Sequence, residues 1–180
     1  MPYRIFFAAF LSISFLFQGC LTFHRISYQL NLEGDLKGKG IINIYDIRSG
    51  AESDSVFAED KNTLFDYIQK SDQFIKDMHN EGKNITSRRL YVKDGVLNGV
   101  VNLSFDDIRK IEGIGFEDGL YYLTVQPDDS IYSTNGKVIY SKDYKRIIWD
   151  KSVKTIMFEM MASDYSDSTF KELAPFYKEL

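Results

Sequence analysis

Apolar and polar residues alternate in several stretches of the chain, a pattern typical of β-strands that bury one side. The first such stretch is residues 26–47, interrupted by the glycine-rich segment 33–40. Gly34, Gly38 and Gly40 suit a tight connection because glycine adopts positive φ angles at little cost. Residues 26–47 are therefore predicted to form a β-hairpin.

A second pair of apolar runs, residues 85–92 and 96–105, flanks the tripeptide Lys93-Asp94-Gly95. Asp-Gly between two such runs is a strong hairpin signal. Further strands are predicted at 120–125, 131–133, 137–140, 145–149 and 153–161.

Apolar residues follow a helical spacing over one long segment of the chain. Apolar residues repeat at intervals of four, seven and three residues over 62–81, through Leu64, Ile68, Ile75 and Met78. Asp60 or Asn62 is the expected N-cap and Gly82 the expected left-handed end. The polar residues 48–61 show no period and are predicted to be a loop. Shorter helices are predicted after Asp106 and, from Ser168 or Thr169, at the C-terminus.

These elements predict an α+β fold: an antiparallel sheet packed on one face by the helix at 62–81, with a short C-terminal helix. The composition, 44% hydrophobic and 15% aromatic, is sufficient for a folded core. Residues 26–180 are expected to form a single domain. The formal charge of −4 argues against nucleic acid as a partner, which a basic surface would favour.

The first 20 residues differ from the rest of the chain in their pattern of charged and apolar residues. Arg4 precedes the uncharged apolar run 5–17, which is followed by Gln18-Gly19-Cys20. A positive start and an apolar run of this size predict a signal peptide over residues 1–19. The run is shorter than the about 20 residues that a membrane-spanning helix needs.

The segment Leu16-Phe17-Gln18-Gly19-Cys20 resembles a relaxed lipobox of bacterial lipoproteins. The resemblance implies cleavage before Cys20 and acylation of this cysteine, the only one in the chain. It also implies a lipidated N-terminus over residues 20–25 and attachment to a membrane of the cell envelope, facing the periplasm or the cell surface. In that family, proteins kept at the inner membrane often carry aspartate directly after the cysteine, so the resemblance and Leu21 at this position favour the outer membrane. The alternatives are a free cysteine beside an ordinary cleavage site and an uncleaved anchor.

One exposed binding strip is a candidate in the mature chain. Tyr144, Lys145, Arg146 and Trp149 combine basic and aromatic side chains that could contact anionic headgroups or a glycan. The alternative, which we favour, places Trp149 in the core of the sheet with its charged neighbours facing solvent.

Catalytic and metal-binding patterns give little support for an enzyme. The acid pairs Asp106-Asp107, Glu117-Asp118 and Asp128-Asp129 could perform acid–base chemistry, although adjacent acids more often cap helices or lie in solvated turns. The two histidines, His24 and His79, lie in different predicted elements without a metal-binding spacing. No cofactor or metal is expected.

The order of elements after Cys20 also resembles that of LppM-like bacterial lipoproteins, over residues 26–108, ending near Phe105-Asp106-Asp107. This resemblance implies an α+β envelope domain. The sequence thus predicts a lipid-anchored, non-catalytic binding or assembly module whose partner is an envelope protein, lipid or glycan. An envelope hydrolase that uses paired acids and a lipid carrier are the alternatives.

Overall fold

Two antiparallel sheets and two α-helices make up the fold in the computed structural model, which describes residues 21–162 and 170–178. The α+β class is therefore as the sequence predicts, with strands predominating.

The larger sheet has seven strands, in the spatial order β3-β4-β2-β1-β10-β7, with β11 beside the end of β2. Its strands are β1 (Leu21–Leu32), β2 (Gly38–Ser49), β3 (Lys83–Lys93), β4 (Val96–Phe105), β7 (Ser130–Thr134), β10 (Thr155–Met161) and β11 (Lys171–Glu172). Both predicted hairpins are confirmed, as β1–β2 and β3–β4. Strand β1 begins at Leu21 rather than at Ile26, because Leu21 already pairs with Ser49 of β2.

The smaller sheet has four strands in the order β5-β6-β9-β8. They are β5 (Gly115–Glu117), β6 (Leu120–Val125), β8 (Lys137–Tyr140) and β9 (Lys145–Asp150). The chain passes from the large sheet to the small one between β7 and β8, through Asn135 and Gly136. This corner connects the two sheets.

The main core lies where side chains of the two sheets pack together. Strand β1 contributes Ile26, Tyr28 and Leu30, and strands β6 and β9 contribute Tyr121 and Trp149 among others. The Tyr28 ring stacks on Phe158 of β10 with a centroid distance of 4.6 Å. A second cluster joins Leu64 and Leu173 to Leu90 and Leu97.

The helical region differs from the sequence prediction. Helix α1 (Asp54–Asn62) occupies the predicted loop, capped by the Ser53 hydroxyl, which accepts from the Val56 N–H. It continues as a π-helical segment, Thr63–Ile68, and helix α2 (Asp72–Asn80) starts anew behind the Ser71 cap. The single predicted helix at 62–81 is thus interrupted. Gly82, with φ 84°, ends α2 as predicted.

The other short elements also differ in detail. Asp107, not Asp106, caps the 3₁₀ helix Ile108–Lys110. The end of the chain forms β11 and a 3₁₀ turn, Ala174–Phe176, where the sequence predicts a helix, because Pro175 removes a backbone donor. The predicted cap at Ser168 or Thr169 lies outside the described residues. No helix within 21–162 and 170–178 is long and apolar enough to span a membrane.

Candidate functional site

The side of the large sheet opposite the main core carries an arginine surrounded by tyrosines. Because strand residues alternate between faces, Arg25 and Ser27 of β1 point away from the core that Ile26 and Tyr28 enter. The Arg25 guanidinium carbon lies 4.7 Å from the ring centroid of Tyr45 and 4.9 Å from that of Tyr132. These residues come from three strands of the sheet and define what we call the Arg25 cluster, together with Glu159.

Glu159 balances the charge of this cluster. Its Oε1 lies 2.9 Å from Arg25 Nε, with 30% of the arginine side chain and 16% of the glutamate side chain exposed. The buried Arg25 Nε has no well-aligned hydrogen-bond acceptor, so this contact is an ion pair rather than a directional hydrogen bond. Ser133 Oγ donates to the other carboxylate oxygen over 3.3 Å.

Uncharged polar side chains continue the surface beside the Arg25 cluster. Asn43 Nδ2 donates to Ser27 Oγ over 3.2 Å, and Gln29 and Asn31 of β1 are exposed further along the strand. Tyr132 is 59% exposed. Aromatic rings with amide, hydroxyl and guanidinium groups bind polar ligands through stacking and hydrogen bonds.

The structure divides the predicted binding strip between the two sides of the small sheet. Arg146 stacks on Tyr122 and Tyr144, and its Nε donates to Thr124 Oγ1 over 2.8 Å. Lys145 turns away and donates to the Asp129 carbonyl over 2.7 Å.

Trp149 is only 2% exposed and lies in the main core, which is the alternative that the sequence favoured. Its Nε1 donates to Asn135 Oδ1 over 2.8 Å, and its ring packs near Phe158. Trp149 therefore does not share a surface with Arg146. Tyr144 and Arg146 remain as a second, half-buried tyrosine–arginine group.

The paired acids have structural contacts. Asp107 caps its 3₁₀ helix and binds the Arg109 guanidinium, which lowers the Asp107 pKa. Asp129 accepts from the Gln126 N–H within a turn. Asp118, with φ 50°, lies in the turn between β5 and β6. These contacts are those expected of caps and turns.

Metal ligands do not converge in the part of the chain that the structure describes, where no three His, Cys, Asp or Glu side chains could hold an ion together. His79 lies on α2, where its ring contacts the Asn84 side chain, and His24 lies on β1. Cys20 lies outside the described residues.

An ionisable cluster that no local sequence pattern indicates lies beside the main core. The Tyr28 hydroxyl donates to the Glu112 carboxylate, and Lys83, 6% exposed, lies near the same carboxylate. Burial raises the pKa of Glu112 although Lys83 and Tyr28 oppose the shift, and Glu81, which pairs with Lys83, adds to it. Glu112 also has a φ of 49°, a left-handed conformation that is costly for this residue type.

Replacing Glu112 with glutamine should remove a pH-dependent loss of stability. The folded protein holds the Glu112 proton more tightly than the unfolded chain, so stability from this residue is present in acid and is lost as the pH rises through the raised pKa. Glutamine does not titrate and keeps an acceptor for Tyr28. We expect the variant to equal the wild type near pH 4 and to exceed it above neutrality, by on the order of 1 kcal/mol.

Urea unfolding of both proteins from pH 4 to pH 8 measures this difference. Glu117→Gln is the matched control, because Glu117 is an exposed residue of β5 and should leave the pH profile unchanged. Parallel profiles of the wild type and the Glu112 variant would show that the Glu112 carboxyl is not perturbed by folding.

Compared with known proteins, the chain matches no family model, no curated protein and no solved structure.

Proposed function

We propose that this protein is a lipid-anchored protein of the bacterial cell envelope that acts as a non-catalytic binding or assembly module. The observation that carries the proposal is the position of Leu21, which follows Cys20 directly and already pairs with Ser49 in the large sheet. An acylated Cys20 would therefore join the membrane to the sheet without a flexible tether.

Acyl chains supply enough energy for this role. Each buried CH₂ contributes about 0.8 kcal/mol, and stable anchoring takes two lipid signals, as a diacylglyceryl group on Cys20 would provide. The leader over residues 1–19 and the relaxed lipobox support this form of attachment, and Leu21 favours the outer membrane.

The binding role is assigned to the Arg25 cluster. Strand β1, whose first residue follows the proposed anchor, also carries Arg25 and Ser27. A central strand of a seven-stranded sheet holds its side chains in fixed positions, so these groups are presented to a partner with little loss of conformational freedom. An envelope protein, lipid or glycan is the expected partner.

The structure gives less support to the two alternatives. The acid pairs that a hydrolase would use have the cap and turn contacts described above. The space between the sheets, where a carrier would hold lipid, contains the side chains of Tyr28, Trp149 and Phe158.

Replacing Cys20 with alanine should release the protein from the membrane. Without the thiol there is no site for the acyl chains, whose burial supplies the attachment energy. Protein made in a bacterial host should fractionate with the membranes as wild type and in the soluble fraction as Cys20→Ala. Intact mass should show a wild-type species that starts at Cys20 and carries acyl groups.

Gly19→Ala is the matched control, since it keeps the small residue that the lipobox resemblance requires and should be processed like the wild type. A wild-type mass without acyl groups, or a Cys20→Ala protein that stays in the membrane fraction, would overturn the lipoprotein proposal.

A further inference from the structure

Two phenylalanines and two lysines from separate parts of the chain meet at one end of the large sheet. They are Phe57 and Lys61 of helix α1, Lys171 of β11 and Phe176 of the final 3₁₀ turn, and we call them the aromatic–lysine patch. The rings of Phe57 and Phe176 meet edge to face with centroids 5.4 Å apart. Phe176 is 46% exposed, so a large part of its ring is open to a partner.

The lysines lie against these rings. Lys61 Nζ is 4.9 Å from the Phe57 centroid and 4.5 Å from the Phe176 centroid. Lys171 Nζ lies 5.2 Å from the Phe57 centroid and 3.4 Å from Asp54, an exposed residue. Two lysines and one aspartate leave the patch with a small positive charge, so the exposed part of the Phe176 ring is the larger part of its binding capacity.

The patch lies close to the start of strand β1, and this position indicates what the patch contacts. Leu21 pairs with Ser49, and Ser49 pairs in turn with Lys171 on its other side. Two strand spacings, roughly 10 Å, therefore separate Leu21 from Lys171. The opposite end of β1, at Leu32, is roughly 36 Å away along the strand.

This placement rests on the proposed function, since it takes Cys20 as the point where acyl chains enter a bilayer. With no residue between Cys20 and the sheet, the end of the sheet that begins at Leu21 must then face the lipid headgroups. A bilayer interface favours aromatic rings, and it allows lysines to extend their ammonium groups toward water and phosphate.

We propose that the aromatic–lysine patch lies in the headgroup region of the membrane that holds the acylated Cys20. The patch gives the anchored protein a second contact with the bilayer and fixes its orientation. Strand β1 then stands away from the surface, with the hairpin end at Leu32 outermost.

A tryptophan placed in the patch reports on this contact. The full chain with Phe176→Trp, made and acylated in a bacterial host, is reconstituted into phosphatidylethanolamine–phosphatidylglycerol vesicles that contain brominated phosphatidylcholine. Bromine quenches only tryptophans that reach the lipid, so we expect the added fluorescence to fall by about half, as for an aromatic side chain at the interface. The native Trp149 is buried and supplies the background.

Leu120→Trp is the matched control. Leu120 is 39% exposed, close to the value for Phe176, and lies in the small sheet near the Leu32 end, where neighbouring Tyr121 donates to the Asp35 carbonyl. Its fluorescence should not change with bromination. Equal quenching of both variants, or none for Phe176→Trp, overturns the proposed contact.

Flotation and intact mass separate this inference from the proposed function. Acylated protein that floats with the vesicles but shows no quenching of Trp at 176 overturns the patch alone. Protein that carries no acyl group and does not float overturns the anchor and the patch together. Amide hydrogen exchange of the wild type supplies a second readout: vesicles should protect residues 54–61 and 170–178 but not 117–120, and the reverse result counts against the patch.

Discussion

Replacing Trp149 with alanine should lower the free energy of unfolding by about 3–5 kcal/mol, the usual cost of truncating a buried tryptophan. The ring is 2% exposed between the two sheets, and its Nε1 donates to Asn135 Oδ1. Alanine would leave a cavity beside Phe158 and remove the donor. Urea unfolding followed by far-UV circular dichroism measures the loss.

The control for Trp149→Ala is Tyr144→Ala in the same chain segment. Tyr144 is half-buried and contacts the Arg146 guanidinium on the outer side of the small sheet, and a contact of this kind contributes about 1 kcal/mol. If both variants lost about the same stability, Trp149 would not be the core residue that the structure shows. Trp149→Phe should fall between them, since it retains an aromatic ring without the donor.

The strands were largely predictable because their signal is local. The Asp94-Gly95 turn has positive φ angles of 54° and 82° at its two residues, the geometry that this dipeptide favours. Inward-facing Ile156 and Phe158 alternate with exposed or half-buried neighbours, as period-two patterning requires. A strand that buries one side shows this alternation in its own sequence, whatever its neighbours in the sheet are.

Helix α1 was not predictable in the same way. Its sequence, Asp54–Asn62, has few apolar residues and no stripe of them, so no helical period is visible. Tertiary contacts hold it instead: Ser49 of β2 donates to the buried Asp60 carboxylate, and Phe57 packs in the second core cluster. Most helical stability in proteins comes from such contacts rather than from propensity.

The Arg25 cluster was hidden for a related reason. Arg25 meets Tyr45, Tyr132 and Glu159, which are distant in sequence and come together only through the strand order of the large sheet. Local spacing carries no information about such a group. Trp149, by contrast, could be placed from the sequence, since the favoured alternative put it in the core of the sheet, and the structure shows it facing the core while Arg146 lies on the other side.

Two glycines of the first hairpin are required for different reasons, and only one of these reasons is visible in the local sequence. Gly34 has the positive φ expected of a turn residue, at 141°. Gly38, by contrast, lies within β2, where a Cβ would come within 2.2 Å of the Asn31 carbonyl oxygen and 2.8 Å of the Phe105 ring. Position 38 requires glycine because its neighbours leave no room for a side chain, and only the folded structure reveals that requirement.

Gly136 is the second position where the surrounding atoms leave no room for a side chain. Gly136→Ala should therefore cost about 1–3 kcal/mol of stability through overpacking. The added Cβ would lie 2.6 Å from Ile147 Cγ2 and 2.6 Å from Trp149 Nε1. Both of these side chains are buried, at 0% and 2% exposed, so neither can move into solvent to make room. The corner between the two sheets must shift instead, and urea unfolding should record the loss.

Gly99→Ala provides the matched comparison for Gly136→Ala, since it adds the same methyl group within strand β4. Its nearest contacts would be at 3.4 Å, to Ile47 and Leu90, and alanine loses less conformational entropy than glycine on folding into a strand, an advantage of roughly 0.5–1 kcal/mol. We expect Gly99→Ala to be neutral or slightly stabilising. Because the two variants differ in the room available to one methyl group, a Gly136→Ala protein as stable as Gly99→Ala would show that the two sheets are not packed as tightly at this corner as the contacts with Ile147 and Trp149 indicate.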